Sequence, residues 1–255
     1  MDITDLTRHS LIVDDIKLFI VQHVKSYDFV GFNTHHLTFS PAKEVSHYYF
    51  VIDLLYHDAF GHWVYESAVY LTLFKKLKTR HFSNLKLLLK GAKVYKTMFL
   101  QYFNIPSTDV CYKIEPGNVC VFPSPITALN NISCTAAYMK IIDNFMQEFQ
   151  CESQAPQYNY VVLPRQKLEN YVGNDRKYDM TDVLASLIEK NYIIYNTDDE
   201  HLLVDQIAVV RSAPVVIVTD GSPFMVNLMF GKNQHFLIVG NVTQQQQLNY
   251  QKKNI

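Results

Sequence analysis

The chain has 255 residues, 48% of them hydrophobic, and its 23 basic and 24 acidic residues give a formal net charge of −1. This length and composition can bury a sizeable core, as one large domain or two small ones. The balanced charge excludes the global basic field of a nucleic-acid-binding protein, so any anion site must be local. We therefore expect no nucleic-acid partner.

The sequence shows no signature of a membrane span, a signal peptide or a metal centre. Its apolar runs are short and the N-terminus lacks a basic stretch. The four cysteines form no C-x-x-C pair, and the ten histidines show no spacing typical of metal ligands. We expect a cytoplasmic protein, in a bacterium or in the host cell if the protein is viral, without an essential metal cofactor.

Strands and helices alternate in the first half of the chain. Apolar runs at 11–13 and 18–21 fit strands or a first helix, and the sequence leaves this open. Later runs predict strands at 47–55, 85–89, 110–114 and 119–122 and helices at 61–78, 94–103 and 135–149. Turn chemistry, Glu115-Pro116-Gly117-Asn118, separates the third and fourth of these strands. Residues 151–157 read as a linker, so we divide the chain into domains 1–150 and 151–255.

The second half predicts a more regular βαβαβαβ series. Strands are expected at 158–163, 192–195, 215–218 and 236–239, with helices between them. Thr181-Asp182 is expected to cap the first of these helices. Four apolar residues of that helix should face inward, namely Val183, Leu184, Leu187 and Ile188. Such alternation favours a parallel sheet with helices on its faces.

The run Asp220-Gly221-Ser222-Pro223 follows the third strand of this series and precedes an apolar stretch at helical spacing. Gly221 lets the backbone approach a ligand, Ser222 is a good N-cap, and Pro223 suits the first helical position. The backbone N–H groups of such a helix start bind anions, and a phosphate is the natural ligand. The alternative is an ordinary strand-to-helix connection.

A polar loop after the strand at 158–163 carries Arg165 and Arg176. Ligands of open parallel sheets bind at the carboxyl ends of the strands, where this loop and the Gly221-Ser222 turn both begin. Together they could clamp a diphosphate without a metal. The alternative is that both arginines are solvated surface charges.

The first half offers Asp58, His62 and Glu66 as catalytic candidates. If a helix begins near Gly61, His62 and Glu66 lie four residues apart on one face close to its N-terminus. A transfer reaction to a hydroxyl needs a group that removes the proton as the new bond forms, and a histidine or a carboxylate can do so. The alternative is that His62 and its neighbour Trp63 only pack the helix start.

Several of these segments resemble the pattern of glycosyltransferase family 61. They are Gly61-His62-Trp63-Val64-Tyr65-Glu66, then Arg165 after a strand, then Asp205-Gln206-Ile207 with Ser212-Ala213, and finally Gly221-Ser222 with Asn227 and Phe230. The family shows an H-W-x-x-E element, a basic loop, a D-Q-I segment and a closing G-(A/S)…N-x-x-F. The similarity spans about residues 48–240, in the same order.

The resemblance implies an α/β, GT-B-like fold, with two Rossmann-like domains facing each other across a cleft. It implies an inverting, metal-independent glycosyltransferase that takes a nucleotide-diphosphate sugar, such as a UDP-sugar, as co-substrate and a glycan hydroxyl as acceptor. Arg165, Arg176, Gly221, Ser222 and Asn227 would then bind the donor. His62 and Glu66 would face the reacting centre.

Two other functions stay open from the sequence. One is a non-catalytic nucleotide- or glycan-binding module of the same fold, in which His62 and Glu66 only pack. The other is a phosphate-ester hydrolase, which needs a metal or nucleophile constellation that the sequence does not show.

Overall fold

The computed structural model describes residues 10–13, 16–22, 24–30, 34–39, 47–52, 60–115, 118–123, 136–148, 156–164, 180–196, 203–219, 226–227, 229–231 and 233–239. The chain divides into two compact units, Met1–Glu148 and Phe149–Ile255. Both contain parallel strands and helices, so the protein belongs to the α/β class and is compatible with a Rossmann-like fold.

The first unit contains a six-stranded mixed sheet. Its strands are β1 (Ser10–Val13), β2 (Ile16–Gln22), β5 (His47–Val51), β6 (Leu85–Leu88), β7 (Val110–Cys111) and β8 (Asn118–Pro123). Their spatial order is β1-β2-β8-β5-β6-β7. The four strands β7-β6-β5-β8 are mutually parallel and follow the 3-2-1-4 order of Rossmann sheets. The strands β6 and β7 thus lie on one side of β5, and the next strand in the sequence, β8, lies on its other side.

Antiparallel strands extend this unit beyond its parallel core. β1 pairs with β2, and β2 pairs with β8. The remaining strands, β3 (Val24–Val30) and β4 (Thr34–Phe39), form a separate antiparallel pair. The early runs that the sequence left open are thus strands and not a helix, which agrees with their short lengths.

The turn chemistry at residues 115–118 does not join two paired strands. β7 lies at the sheet edge beside β6, whereas β8 lies between β2 and β5. Both strands run parallel to β5 and β6, so the chain crosses the sheet between them instead of forming a hairpin. Turn residues mark a change of direction, but they do not determine which strands pair.

The described part of the first unit also contains several helical segments. The first is a continuous helical run at 60–80, composed of α1 (Phe60–His62), a π-helical turn (Trp63–Ser67), a 3₁₀ turn (Ala68–Tyr70) and α2 (Leu71–Arg80). The others are α3 (Val94–Tyr102) and α4 (Ala136–Glu148), and a short 3₁₀ turn (Ser107–Asp109) precedes β7. Phe145 of α4 stacks on Phe99 and Phe103, with ring centroids 6.2 and 5.2 Å apart. An ion pair between Lys75 and Glu148, 3.0 Å long, joins α2 to α4 at the surface.

The second unit contains the predicted parallel sheet. Its strands are β9 (Tyr160–Leu163), β10 (Ile193–Ile194), β11 (Val215–Thr219) and β12 (His235–Val239), in the order β10-β9-β11-β12. All three pairings are parallel, which confirms the parallel sheet. The helices α5 (Thr181–Glu189) and α6 (Leu203–Ser212) connect the first three strands. Val210 and Ala213 pack against Val161 and Val216 to form the core on one face of the sheet.

The predicted packing of α5 is wrong for Val183 and Ile188, whereas Leu184 and Leu187 are half-buried. Val183 is 50% exposed and Ile188 58% exposed, and no residue of this helix is buried. The N-cap position is occupied by Met180, which makes no side-chain capping bond, so Thr181 is the first helical residue and not the cap. The apolar spacing identified the helix correctly. It could not show whether another element packs on the apolar face of that helix.

Candidate functional site

Two of the three candidate catalytic residues, His62 and Glu66, lie in the helical run that follows β5. Ser67 is 1% exposed, and its Oγ donates a 2.8 Å hydrogen bond to the carbonyl oxygen of Ile52. Ile52 comes directly after the last residue of β5. This bond fixes the π-helical turn to the carboxyl end of the strand at which the sheet changes direction. Ligands of doubly wound sheets bind at this kind of position.

His62 and Glu66 form a hydrogen-bonded pair. Nδ1 of His62 lies 2.9 Å from Oε1 of Glu66, and the two side chains are 34% and 13% exposed. With Glu66 ionised, Nδ1 donates and the basic lone pair is on Nε2 of the imidazole. A carboxylate that orients a histidine in this way is the arrangement by which enzymes activate a hydroxyl group. The partial exposure of His62 lets a substrate reach it.

The π-helical turn Trp63–Ser67 supports this pairing. In an α-helix each residue advances about 100°, so residues four apart are offset around the axis by about 40°. The i→i+5 bonds of a π-helix enclose more residues per turn, which brings such residues closer to one line along the helix. Short π-helical turns inside helices occur frequently at functional sites. The sequence predicted a helix here but not this distortion.

Residues of α3 pack against Phe60 and Trp63, which lie on either side of His62 in the sequence. The ring of Tyr95 contacts Phe60 edge-on at a centroid distance of 5.4 Å and lies 6.5 Å from the ring of Trp63. Nζ of Lys96 lies 5.1 Å from the centroid of the Trp63 ring. Trp63 and Lys96 are 0% and 1% exposed, so the helical run is packed tightly against α3 next to His62.

Two buried polar atoms near the pair lack a hydrogen-bond partner among the residues that the structure describes. They are Oε2 of Glu66 and Nε1 of Trp63. Burial raises the pKa of the Tyr70 hydroxyl, and the negative charge of Glu66 raises it further. One carboxylate oxygen of Glu66 thus binds His62, and the negative charge of the carboxylate acts on the Tyr70 hydroxyl.

In the second unit, the two strands that precede the predicted donor segments in the sequence are direct neighbours. Leu163 of β9 pairs with Val218 of β11, so these strands end side by side. The sheet order β10-β9-β11-β12 makes this the point at which the chain changes direction across the sheet. Thr219, the last residue of β11, is 1% exposed, and its Oγ1 has no hydrogen-bond partner within the described part of the chain. The loop containing Arg165 starts from one of these ends and the Gly221-Ser222 turn from the other.

Asn227, a predicted donor ligand, is completely buried. Its Oδ1 accepts a 2.8 Å hydrogen bond from Nε2 of Gln206 on α6, and its carbonyl oxygen accepts one from the backbone of Gly231. The neighbouring motif residues Ile207 and Phe230 are also 0% exposed. The D-Q-I and N-x-x-F segments therefore meet in the fold, and the Asn227 side chain binds α6.

The other predicted site residues, Asp58, Arg165, Arg176, Gly221 and Ser222, lie outside the described residues. Across the ranges that the structure describes, no group of three or more His, Cys, Asp or Glu side chains is arranged to hold a metal ion. Within the same ranges, no helix has both the length and the hydropathy needed to cross a membrane.

Two residues of the site were not predicted, Ser67 and Lys96. Lys96 occupies an apolar position of α3, in line with the buried residues Phe99, Leu100 and Phe103 at i+3, i+4 and i+7. A lysine in such a stripe is the sequence signal that could have identified it. For Ser67, the signal is a small polar residue on the otherwise apolar face of the helix at 60–80.

Comparison with known proteins identifies no relative: no protein-family model matches the chain, and no curated protein sequence matches it.

Proposed function

We propose that the protein is an inverting glycosyltransferase that moves a sugar, for example xylose or N-acetylglucosamine, from a nucleotide-diphosphate donor to a glycan hydroxyl in surface or viral glycan synthesis. The observation that carries the proposal is the 2.9 Å hydrogen bond between His62 and Glu66, in the helical run that follows the parallel strand β5. The order of motifs along the sequence supports the choice of transfer chemistry. The proposed reaction requires no divalent metal.

In the proposed reaction, His62 is the general base. Its Nε2 takes the proton of the acceptor hydroxyl while the acceptor oxygen forms a bond to the anomeric carbon of the donor. The bond from that carbon to the phosphate oxygen breaks, and its electron pair leaves with the nucleoside diphosphate. Glu66 keeps Nδ1 protonated and stabilises the imidazolium that forms. Attack from the face opposite the leaving group inverts the anomeric centre.

The proposal assigns the nucleotide sugar to the second unit. The ends of β9 and β11 lie side by side, and the loops that begin there carry Arg165 and the Gly221-Ser222 turn. Arginine side chains and the N–H groups of a helix start would bind the diphosphate and stabilise its charge as it leaves. Arg176 would complete this site, and Asn227 would fix the helix behind it through Gln206. The proposal requires the GT-B-like arrangement, in which the two units face each other across a cleft.

Binding and transfer can be tested separately. In a thermal-shift screen against nucleoside diphosphates and their sugars, a donor at 100 times its Kd would stabilise the protein by about 2.7 kcal/mol. Arg165→Ala should abolish this shift, whereas Arg80→Ala, which changes an exposed arginine of α2, should leave it unchanged. Binding without any transfer to a panel of acceptors would indicate a non-catalytic module, and absence of binding would contradict the proposal.

A further inference from the structure

The hydroxyl group of Thr219 is buried in a position that packing does not explain. Thr219 is the last residue of β11 and is 1% exposed, and its Oγ1 bonds to no polar atom of the described residues. The rest of β11 consists of valine and isoleucine. Buried hydroxyls are nearly always hydrogen-bonded, because an unpaired one loses its bonds to water and gains none in return. Valine has the same shape as threonine, so packing alone would favour valine here.

Thr219 lies where ligands of doubly wound sheets bind. Val216 and Val218 pack into the core with α6, so Thr219 lies on the opposite face of the sheet. Its partner in β12 is Val239, which is 37% exposed, so solvent reaches this corner of the sheet. On the other side of β11, β9 ends at Leu163, which pairs with Val218. The strand order reverses between β9 and β11, and the hydroxyl lies at the carboxyl end of this junction.

We infer that Thr219 contacts the nucleotide donor, and that its hydroxyl donates a hydrogen bond to the bound nucleoside diphosphate. The identity of this ligand rests on the proposed function. Hydrogen bonds to charged groups are stronger than those between neutral groups, and a diphosphate offers several charged acceptor oxygens. Because Oγ1 is shielded in the free protein, donor binding must displace the atoms that cover it. The unpaired hydroxyl thus destabilises the free state and favours the bound state.

Three variants separate the effect of the hydroxyl from that of the methyl group. Thr219→Val removes the hydroxyl and keeps the shape, whereas Thr219→Ser keeps the hydroxyl and removes the methyl. Thr72→Val is the matched control. Thr72 is 6% exposed and its Oγ1 is likewise unpaired within the described ranges, but it lies inside α2 and not at the end of a strand. Calorimetric titration with UDP, GDP, ADP and CDP measures the Kd of each, and thermal unfolding without ligand measures the melting temperature.

Affinity should follow the hydroxyl, and stability should follow the methyl group. Thr219→Val should raise the Kd of the nucleoside diphosphate that binds best by about 10- to 100-fold, through the loss of a hydrogen bond to a charged group. Its melting temperature should equal or exceed that of the wild type, because no bond within the protein is lost. Thr219→Ser should retain most of the affinity but melt at a lower temperature, since a buried methyl is removed. Thr72→Val should bind as the wild type does.

The outcomes distinguish this inference from the proposed function. Wild-type affinity in folded Thr219→Val would overturn the inference and leave the proposed function in place. An equal loss of affinity in Thr219→Ser, or a lower melting temperature of Thr219→Val, would also overturn it, since the threonine would then serve packing or folding. If Thr219→Val weakens binding as expected but the wild-type protein transfers no sugar, the inference stands and the proposed function fails. If the wild-type protein binds none of the four nucleotides, both fail.

Discussion

The helical run after β5 and the helix α5 after β9 each follow an interior parallel strand of their sheet, yet they are packed very differently. The first buries residues along most of its length, including Trp63, Val64 and Phe74, at 0 to 1% exposure. The second buries none, and Ile188 is 58% exposed. Both sequences show helical apolar spacing. Spacing thus defines the apolar face of a helix, whereas contacts with other elements determine whether that face contributes to stability.

The largest expected effect contrasts the apolar residues of the two helices. Phe74→Ala removes a ring that is 1% exposed and stacks on Phe50 at a centroid distance of 6.2 Å. We expect it to lower the free energy of unfolding by about 3–5 kcal/mol through lost burial and the cavity that remains. Ile188→Ala should change it by less than about 0.5 kcal/mol. Chemical denaturation followed by circular dichroism measures both values. Equal losses of unfolding free energy in the two variants would contradict the difference in packing between the two helices.

A smaller effect contrasts two buried serines. Ser67 donates to Ile52, 15 residues away and at the end of a strand, whereas Ser212 donates at 2.6 Å to Val209 within its own helix. Ser67→Ala should therefore cost about 1–3 kcal/mol. Ser212→Ala should cost less than about 1 kcal/mol because its bond is local. Urea unfolding curves test the pair. A cost for Ser212→Ala as large as that for Ser67→Ala would show that long-range anchoring of the helix at 60–80 contributes little.

The smallest effect at neutral pH concerns two thiols of the first unit. Burial raises the pKa of Cys111 and of Cys120 from 9.0 to about 12. Because the folded state binds these protons more tightly, its stability should be unaffected below pH 9.0 and should fall as pH rises from there towards 12. The two thiols should also react slowly with a thiol reagent at pH 8. A Cys134→Ser, Cys151→Ser background isolates them, and fast alkylation of the folded protein there would contradict the burial of Cys120 and the partial burial of Cys111.

The sequence predicted much of the fold because local patterns determine it. The β-branched run at 215–218 predicted β11, and the alternation of elements predicted the parallel sheet of the second unit. Sheet order depends on contacts between distant strands, so the separation of β7 from β8 was not visible in the turn residues between them. Whether another element packs on the apolar face of α5 also depends on tertiary contacts, which local sequence patterns do not determine.

The site was predicted in part for similar reasons. The spacing of His62 and Glu66 suffices to place both on one helix face, and the structure brings them together. Ser67 and Lys96 act across the fold, on Ile52 and Trp63, and no local pattern specifies those partners. The side chain of Asn227 accepts a hydrogen bond from Gln206, a partner that the sequence did not indicate, and its contact with a donor stays a prediction.

In the proposed sugar-transfer reaction, His62 is the base and Glu66 orients it. The most direct measurement is the rate of nucleoside diphosphate release from a nucleotide sugar in the presence of acceptor, for the wild-type protein, His62→Ala and Glu66→Gln. We predict a loss of about 10²–10⁴-fold in kcat for His62→Ala and a smaller loss for Glu66→Gln, with both variants folded and still binding donor. Wild-type rates in both folded variants would contradict these roles.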